Sequence, residues 1–397
     1  MLPWSGRRFG VVGLPTAILL IHCVILRASF ACPYSVRDVG FVELKPSRYM
    51  LYCLVRDDTP DREKTESTLE ELSGIVLLDS NVAGEVVNVD QQDAHPATEY
   101  NRFWDIKTYP AAILVSPDGR SLILPMARAD EPFKETAWSV LGHVASSPKR
   151  GELIQHIARA WCIVLLVEGR DPAENKRARE AVTEAIAIIT GSTTAMGRVV
   201  HEPPHLIVVS PESFPEEEVL LWSLGLDDHG DRGPRVAVLY GRGRQMGPVL
   251  EGDNLTRDSV LNLLYVIGMD CGCQTDRRLL TGRVIPLTWG STVHAVLVGQ
   301  LGFDPESPMV KTEVSQIWSG GATYAEGPLG YSEGVFGYTE QPLDPESAPA
   351  GDVVSGSPTT SVPTFGKRAE RTVLFIGGAL TLLVLIGGGL IVVVRAR

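Results

Sequence analysis

The sequence predicts an α/β protein in which two tandem copies of one unit precede a stalk and a single C-terminal membrane helix. Strand and helix patterns alternate between residues 32 and 317, and the second half repeats the order of the first. The chain ends in a long apolar run. Of its 397 residues, 44% are hydrophobic and 21% are charged, so the chain can form two globular domains with filled cores.

The first unit is expected over residues 32–150. It opens with a continuous apolar run at 49–55, which has the length of a buried strand. Further strand patterns lie at 85–89, 111–115 and 121–124. A Ser-Pro-Asp-Gly turn separates the last two strands. Helical patterns lie at 60–72, 98–104 and 131–143.

The second unit is expected over residues 151–317 and repeats this order. Its first helix begins with Asp171 as the cap and Pro172 at the first position, and Thr256 caps its last helix. Strand patterns lie at 161–167, 205–209 and 234–240. Each of the two helices has an apolar face, formed by Ala178, Val182, Ala185 and Ile189 in the first and by Val260, Leu263, Leu264 and Ile267 in the last.

Two short matches indicate a real duplication. Residues 109–120 align with 233–244, and residues 55–64 align with 167–176. The order strand, helix, strand, helix, proline-led hairpin and closing helix resembles the thioredoxin fold, in two tandem copies. In that family a cis-proline begins the first strand of the hairpin. The resemblance therefore implies cis peptide bonds before Pro110 and Pro234.

The segments that would carry redox chemistry in this family lack cysteine. Thioredoxins place a Cys-x-x-Cys pair between the first long strand and its helix, where the helix N-terminus lowers the thiol pKa. Here those segments read Arg-Asp-Asp-Thr-Pro at 56–60 and Glu-Gly-Arg-Asp-Pro at 168–172. Dithiol exchange at that place is excluded. Cys53 and Cys162 lie within apolar strand runs, which predicts buried, unreactive thiols.

A second cysteine feature is the pair formed by Cys271 and Cys273. Gly272 between them provides the backbone freedom to bring the two thiols together, and a local disulfide is the favoured interpretation. Unreactive or cross-paired thiols, or a metal or redox pair, remain alternatives. No second cysteine pair completes a four-thiolate zinc site. We assign no catalytic residue, no metal ligand and no cofactor.

His201-Glu-Pro-Pro-His205 matches the zinc-protease pattern in its letters. That pattern works because a helix brings both histidines onto one face. Two consecutive prolines forbid such a helix, so the segment is interpreted as a loop that enters a strand.

The N-terminal residues 1–31 have the pattern of a secretory signal peptide. Arg7 and Arg8 precede an apolar run, and small residues at positions 29 and 31 fit cleavage after Ala31. The alternative is a lipobox with Cys32 acylated, although Ser29 stands where a lipobox usually has leucine.

The C-terminal part predicts a stalk and an anchor. Residues 318–366 are rich in Gly, Pro, Ser and Thr and carry acidic but no basic residues, as a flexible stalk does. Residues 373–394 form an uncharged run that spans about 33 Å as a helix, enough to cross a bilayer. The signal peptide places the body in the periplasm or at the cell surface, with the tail at 395–397 in the cytoplasm.

The formal net charge of −12 disfavours a nucleic-acid partner, because phosphate binding needs a basic surface. We expect a non-enzymatic, membrane-anchored, extracytoplasmic binding or scaffolding protein with a protein partner. Two alternatives are an envelope thiol-disulfide protein that uses Cys271 and Cys273, and an accessory subunit of a membrane complex.

Overall fold

Two four-stranded sheets form the framework of the computed structural model. It describes residues 34–126, 131–192, 202–227, 233–270 and 281–320. A short helix, α1 (Val36–Val39), precedes the first sheet, and two helices, α9 (Ser291–Leu301) and α10 (Pro308–Gly320), follow the second.

The first unit has the strand order β2-β1-β3-β4. β1 pairs in parallel with β2 and antiparallel with β3, and β3 and β4 form an antiparallel hairpin. This arrangement puts β1 at the centre, where its continuous apolar sequence is buried on both faces. The elements are β1 (Tyr49–Val55), α2 (Arg62–Val76), β2 (Val82–Asn88), α3 (Pro96–Phe103), β3 (Ala111–Val115), β4 (Ser121–Pro125) and α4 (Phe133–Ala145).

The second unit repeats the first. After the connecting helix α5 (Pro148–Ile157), its strands take the order β6-β5-β7-β8 with the same parallel and antiparallel pairings. The elements are β5 (Ile163–Val167), α6 (Pro172–Ser192), β6 (His205–Val209), α7 (Glu218–Leu224), β7 (Arg235–Tyr240), β8 (Arg244–Glu251) and α8 (Arg257–Gly268).

Helices cover both faces of each sheet. In the first unit α2 and α4 pack on one face, and residues around the start of α3 pack on the other. In the second unit α6 and α8 cover one face, and α5 and α7 cover the other. The predicted apolar faces of α6 and α8 are the buried ones, because a helix of 3.6 residues per turn buries a single stripe.

The buried helix positions set the register of the duplication. Leu69 of α2 corresponds to Val182 of α6, and Leu72 corresponds to Ala185, each 113 residues further on. The sequence match of 55–64 with 167–176 differs from this by one residue. It would equate Cys53 with Leu165.

Cys53 and Leu165 lie on opposite faces of their sheets, Cys53 toward α2 and α4 and Leu165 toward α5 and α7. Since side chains alternate along a strand, a shift of one residue reverses the buried face. The match of 55–64 with 167–176 is therefore wrong by one residue. It aligns a proline near the start of each helix, and such a proline does not indicate which face of the preceding strand is buried. The match of 109–120 with 233–244 is consistent with the buried faces. Ala112 faces α2 and α4, and Val236 faces α6 and α8.

The Tyr109–Pro110 peptide bond is cis. Among the described residues it is the only cis peptide bond. The expectation of a second one before Pro234 is therefore wrong. The trans form of X-Pro bonds is favoured by about 0.5–1 kcal/mol, and local packing decides the exceptions. The Tyr109 hydroxyl is held by hydrogen bonds to Asn101 and to the Ile106 carbonyl, whereas Gly233 has no side chain to hold.

The N-terminal segment packs on the second unit, although the sequence assigned it to the first. Val36 belongs to the core beneath α6 and α8, and the Arg37 guanidinium donates to the carbonyls of Ala158 and Ala160. α10 covers α1 and Tyr34 from outside. Trp318 packs there too, so the folded body reaches at least to this residue, which the sequence placed at the start of the stalk.

α7 connects the two units because it is apolar on both sides. Its Val219 and Trp222 pack into the core of the first sheet, and its leucines pack into the core of the second. The helix C-terminus leaves unpaired carbonyls that need donors. Arg120 from the first unit donates to the carbonyls of Trp222 and Ser223 at 2.6 and 2.8 Å, and Arg283 donates to that of Leu224 at 2.8 Å.

Residues 283–289 run between the sheets and hydrogen-bond to both. The Gln245 amide of β8 donates to the Arg283 carbonyl at 2.8 Å. On the other side Asn81, just before β2, donates to the Ile285 carbonyl and accepts from the Leu287 amide. The two units are therefore joined through buried backbone groups.

A buried arginine completes this junction. Arg150 donates to the Ser147 hydroxyl at 3.0 Å and to the carbonyls of Val144 and Pro286 at 2.7 and 3.2 Å. Ser147 in turn donates to Glu217. Burial lowers the pKa of Arg150 to about 10 and raises the pKa of the Glu217 carboxyl.

Several predicted segments lie outside the described residues: the signal peptide at 1–31, the stalk beyond residue 320, the anchor at 373–394 and the tail at 395–397. Within the described ranges, no helix has both the length and the apolar composition that a bilayer crossing requires.

Candidate functional site

The candidate site lies where β1 ends and α2 begins, at the carboxyl ends of the two parallel strands. In the thioredoxin resemblance this segment, residues 56–60, would carry the dithiol. The Thr59 hydroxyl accepts a hydrogen bond from the Arg56 amide at 2.8 Å and so fixes the turn. Asp61 then enters α2 with a φ of 45°, in the left-handed region.

An ion pair occupies the centre of the site. Arg56 Nε lies 3.1 Å from both carboxylate oxygens of Asp90, and the Asp57 amide donates to Asp90 Oδ2 at 3.0 Å. The guanidinium of Arg56 lies over the ring of Tyr109, 5.7 Å from its centroid. The ion pair therefore reaches the residue that precedes the cis-proline.

The Asp57 carboxylate is held in the same network. Its Oδ1 accepts from Asn88 Nδ2 at 2.9 Å, from Gln91 Nε2 at 2.7 Å and from Arg62 at 3.2 Å. Asp90 has a lowered pKa because it accepts hydrogen bonds from Arg56 and from the Asp57 amide, and the same bond raises the pKa of Arg56. Arg56 and Asp90 thus hold each other in their charged forms.

The corresponding segment of the second unit is also closed by its own hydrogen bonds. Asn175 accepts from the Gly169 amide at 2.8 Å and donates to the Gly169 carbonyl at 2.9 Å. Glu168 pairs with Arg179 at 2.6 Å, and the Asp171 carboxylate accepts from the Ala173 amide. Different residues thus fill the same place in both units.

A groove of about 440 Å³ lies beside this segment in the second unit, between α6 and the start of β7. A Cβ on Gly233 would lie 2.7 Å from the Glu174 carboxylate, so glycine permits this close approach. The groove is lined by charged side chains of α6 and β8 and by a few apolar ones: Glu174, Arg177, Pro234, Glu251 and Leu255.

The described cysteines are buried. Cys53 is fully buried, and its burial raises the pKa of the thiol to about 12. Burial also raises the pKa of Cys162, and the nearby Arg37 opposes this only in part. Because the thiolate is the reactive form, both thiols are inert at neutral pH. The prediction for these two residues is confirmed.

The other predicted site cysteines, Cys32, Cys271 and Cys273, lie outside the described residues, and their roles stay predictions. Among the residues that the structure describes, no group of three or more His, Cys, Asp and Glu side chains could hold a metal ion.

In the segment that matches the zinc-protease pattern, residues 202–204 form the loop that leads into β6, as the two prolines indicated. The Glu202 carbonyl accepts from the Trp161 amide at 3.0 Å, and His205 begins β6. His205 stacks on His156 with ring centroids 3.7 Å apart, and its Nε2 lies 3.4 Å from Glu152 Oε1. No sequence pattern links these residues, because α5 and β6 are distant in the chain.

No family model matches the chain, and no curated protein matches it. Solved structures do. The zinc-bound form of human ERp44 matches with a TM-score of 0.23 at 15% identity, over 59% of this chain and 58% of that one. The first two thioredoxin domains of Saccharomyces cerevisiae Eps1p match with a TM-score of 0.19 at 14% identity, over 59% of this chain and 97% of that one.

ERdj5 also matches, with a TM-score of 0.20 at 10% identity, over 63% of this chain and 31% of that one. The chain spans less than two thirds of the length of ERp44. TM-scores of this size carry no weight for function, and the fold assignment rests on the two sheets. Each sheet has the order of elements that the thioredoxin resemblance implied.

Proposed function

We propose that the protein is a non-enzymatic binding or scaffolding protein whose two thioredoxin-like units do not perform dithiol chemistry. One observation carries this proposal. The place of the dithiol in the first unit is filled by Arg56, Asp57 and Asp90, which satisfy one another. Arg56 and Asp90 pair with each other, and the Asp57 amide donates to the same carboxylate, so the segment presents a fixed, hydrogen-bonded surface in place of two thiols.

The described thiols support the same function. Cys53 lies within β1 and Cys162 immediately precedes β5, and both are buried, so an exchange partner has no access to either thiol. A fold that keeps its rigid scaffold and loses its chemistry retains the surface on which a partner can bind.

The sequence patterns extend the proposal to the protein's location. The signal peptide and the run at 373–394 support a body that faces the periplasm or the cell exterior and is tethered through a stalk. In that setting a protein partner fits the acidic surface better than a nucleic acid.

The test is thiol exchange by the full-length protein with oxidised glutathione near neutral pH, read by mass spectrometry. We expect mixed disulfides at neither Cys53 nor Cys162 and no catalysis of insulin reduction. A variant with Cys271→Ser and Cys273→Ser serves as the control and should behave as the wild type does. Catalysis that this variant loses would overturn the proposal and support a thiol-disulfide protein instead.

A further inference from the structure

A groove of about 360 Å³ lies on the first unit between α2 and the outer edge of β2. The helix contributes its C-terminal half and the strand contributes every second residue. Its lining is mostly small or apolar, and the residues include Ser73, Gly74, Leu77, Leu78, Val82 and Gly84.

The second unit differs from the first at this edge. Paired strands equate Gly84 with Leu206, since Gly84 pairs with Leu51, Leu206 pairs with Val164, and Leu51 corresponds to Val164. The helix register equates Ser73 with Ile186. Leu206 and Ile186 pack between strand and helix against the core of the second sheet, whereas the small residues of the first unit let its helix and edge strand approach closely.

Glycine is required at position 84 for this geometry. A Cβ there would lie 2.8 Å from the Cβ of Ser73, closer than side chains approach. The helix and the edge strand therefore lie too close for a side chain, and the strand backbone forms the floor of the groove. An exposed backbone floor next to an apolar wall is the setting in which a strand can add.

β2 is an edge strand of its sheet, and on its outer side no described strand pairs with Val82–Asn88. Residues 287–289 cover only the residues before it, where Ser80 pairs with Thr288. An uncovered edge offers a row of backbone donors and acceptors. Beside it, Leu78 is 66% exposed.

The charge of the groove selects its occupant. Glu70 is exposed and is the charged residue of its lining. An occupant with a basic side chain beside an apolar one complements both Glu70 and the apolar wall.

We propose that an extended segment of a partner protein adds to β2 as a fifth strand, with an apolar side chain in the groove and a basic one facing Glu70. This inference rests on the proposed binding function and names its site. Strand addition supplies main-chain hydrogen bonds, and the groove supplies selection for alternate side chains.

The experiment uses the full-length protein and a fluorescein-labelled probe, Lys-Thr-Val-Thr-Leu-Thr-Lys, followed by fluorescence anisotropy. We expect saturable binding that Leu78→Glu weakens about tenfold or more, because a carboxylate then enters an apolar wall. Ile75→Glu is the matched control. Ile75 lies on α2, three residues before Leu78, with a similar exposure of 55% but does not line the groove, so this variant should bind as the wild type does.

Amide hydrogen exchange distinguishes strand addition from simple contact. Bound peptide should slow exchange along Val82–Asn88, and a probe with proline in place of its central threonine should not bind. Absence of saturable binding, or an equal loss in Ile75→Glu, would overturn the proposal. Self-association that Leu78→Glu abolishes would assign the groove to a second copy of the chain and overturn it too. The thiol-exchange test is independent of all these outcomes.

Discussion

The two units share one strand order but differ at their edges. In the second unit Leu206 and Ile186 pack between the edge strand and its helix, whereas in the first unit Gly84 lets the strand approach Ser73 closely and leaves the strand backbone as the floor of a groove. The core-facing positions of both units keep their apolar character. The difference indicates that packing constrains the centre of each sheet, while the edge is free to acquire a binding surface.

The two units also differ in the segments that carry the dithiol in thioredoxins, residues 56–60 and 168–172. The first unit fills this place with an ion pair between Arg56 and Asp90, and the second fills it with Asn175, which bonds both backbone groups of Gly169. Two unrelated solutions at one place in the fold indicate that neither unit needs a reactive thiol there.

The largest expected effect comes from replacing Arg150, which lies at the junction of the two units. Arg150→Met should cost about 3–5 kcal/mol, because it removes buried hydrogen bonds to Ser147 and two carbonyls and one of the two positive charges that stabilise the Glu217 carboxylate. The measurement is chemical denaturation of the full chain. Arg150→Met combined with Glu217→Gln should recover part of the loss. A double variant as unstable as the single one would contradict this assignment.

A matched pair of core truncations compares the units directly. Leu141 of α4 and Leu264 of α8 are fully buried at corresponding positions, so Leu141→Ala and Leu264→Ala should each cost about 2–5 kcal/mol. Since buried hydrogen bonds join the units, each variant should shift one common unfolding transition. Two separate transitions, with only one shifted, would show that the units unfold independently.

A smaller effect tests the edge comparison. Leu206→Ala should cost about 1–2 kcal/mol, because the side chain is only partly buried, and should open a groove in the second unit. Gly84→Ala should also destabilise the chain, because its Cβ meets Ser73. Thermal melts of both variants check this. A neutral Gly84→Ala would show that the first groove does not depend on close backbone approach.

The smallest effect is the pH dependence of the ion pair. The pKa of Asp90 in the folded chain is below its ordinary value of 3.8, so its contribution to stability is present above that pH and is lost as pH falls through the lowered pKa. Asp90→Asn should lower the Tm at pH 7, and its effect should shrink steadily as the pH falls below 3.8. Asp93→Asn, at an exposed position nearby, is the control and should show no such trend. An effect of Asp90→Asn that does not change with pH would mean that charge is not its source.

Much of this framework could be predicted from the sequence. The strand β1 could be identified because burial on both faces gives a continuous apolar run. The helix α6 could be identified because burial on one face gives apolar residues at helical spacing. β8 (Arg244–Glu251) was missed because Gly247 and Pro248 interrupt the strand pattern, and a register shift opposite Val236–Val238 breaks the alternation. α7 was missed because it is apolar on both sides, so its apolar residues show no helical spacing.

The candidate site could be located only in part. The thioredoxin resemblance pointed to residues 56–60, but Asp90 belongs to a different segment, 34 residues beyond Arg56. The parallel pairing of β1 with β2 brings it there. The groove could not be predicted, because a glycine in an edge strand gives no sign of the helix that approaches it.

Alkylation of the native full-length protein by iodoacetamide, mapped by mass spectrometry, tests most directly the central claim that the thiols of both units are buried and unreactive. Because Cys53 and Cys162 are buried with raised pKa values, we expect both to remain unmodified in the native state and to react once the chain is denatured. Modification of either thiol in the native protein, at the rate seen in denaturant, would contradict the account.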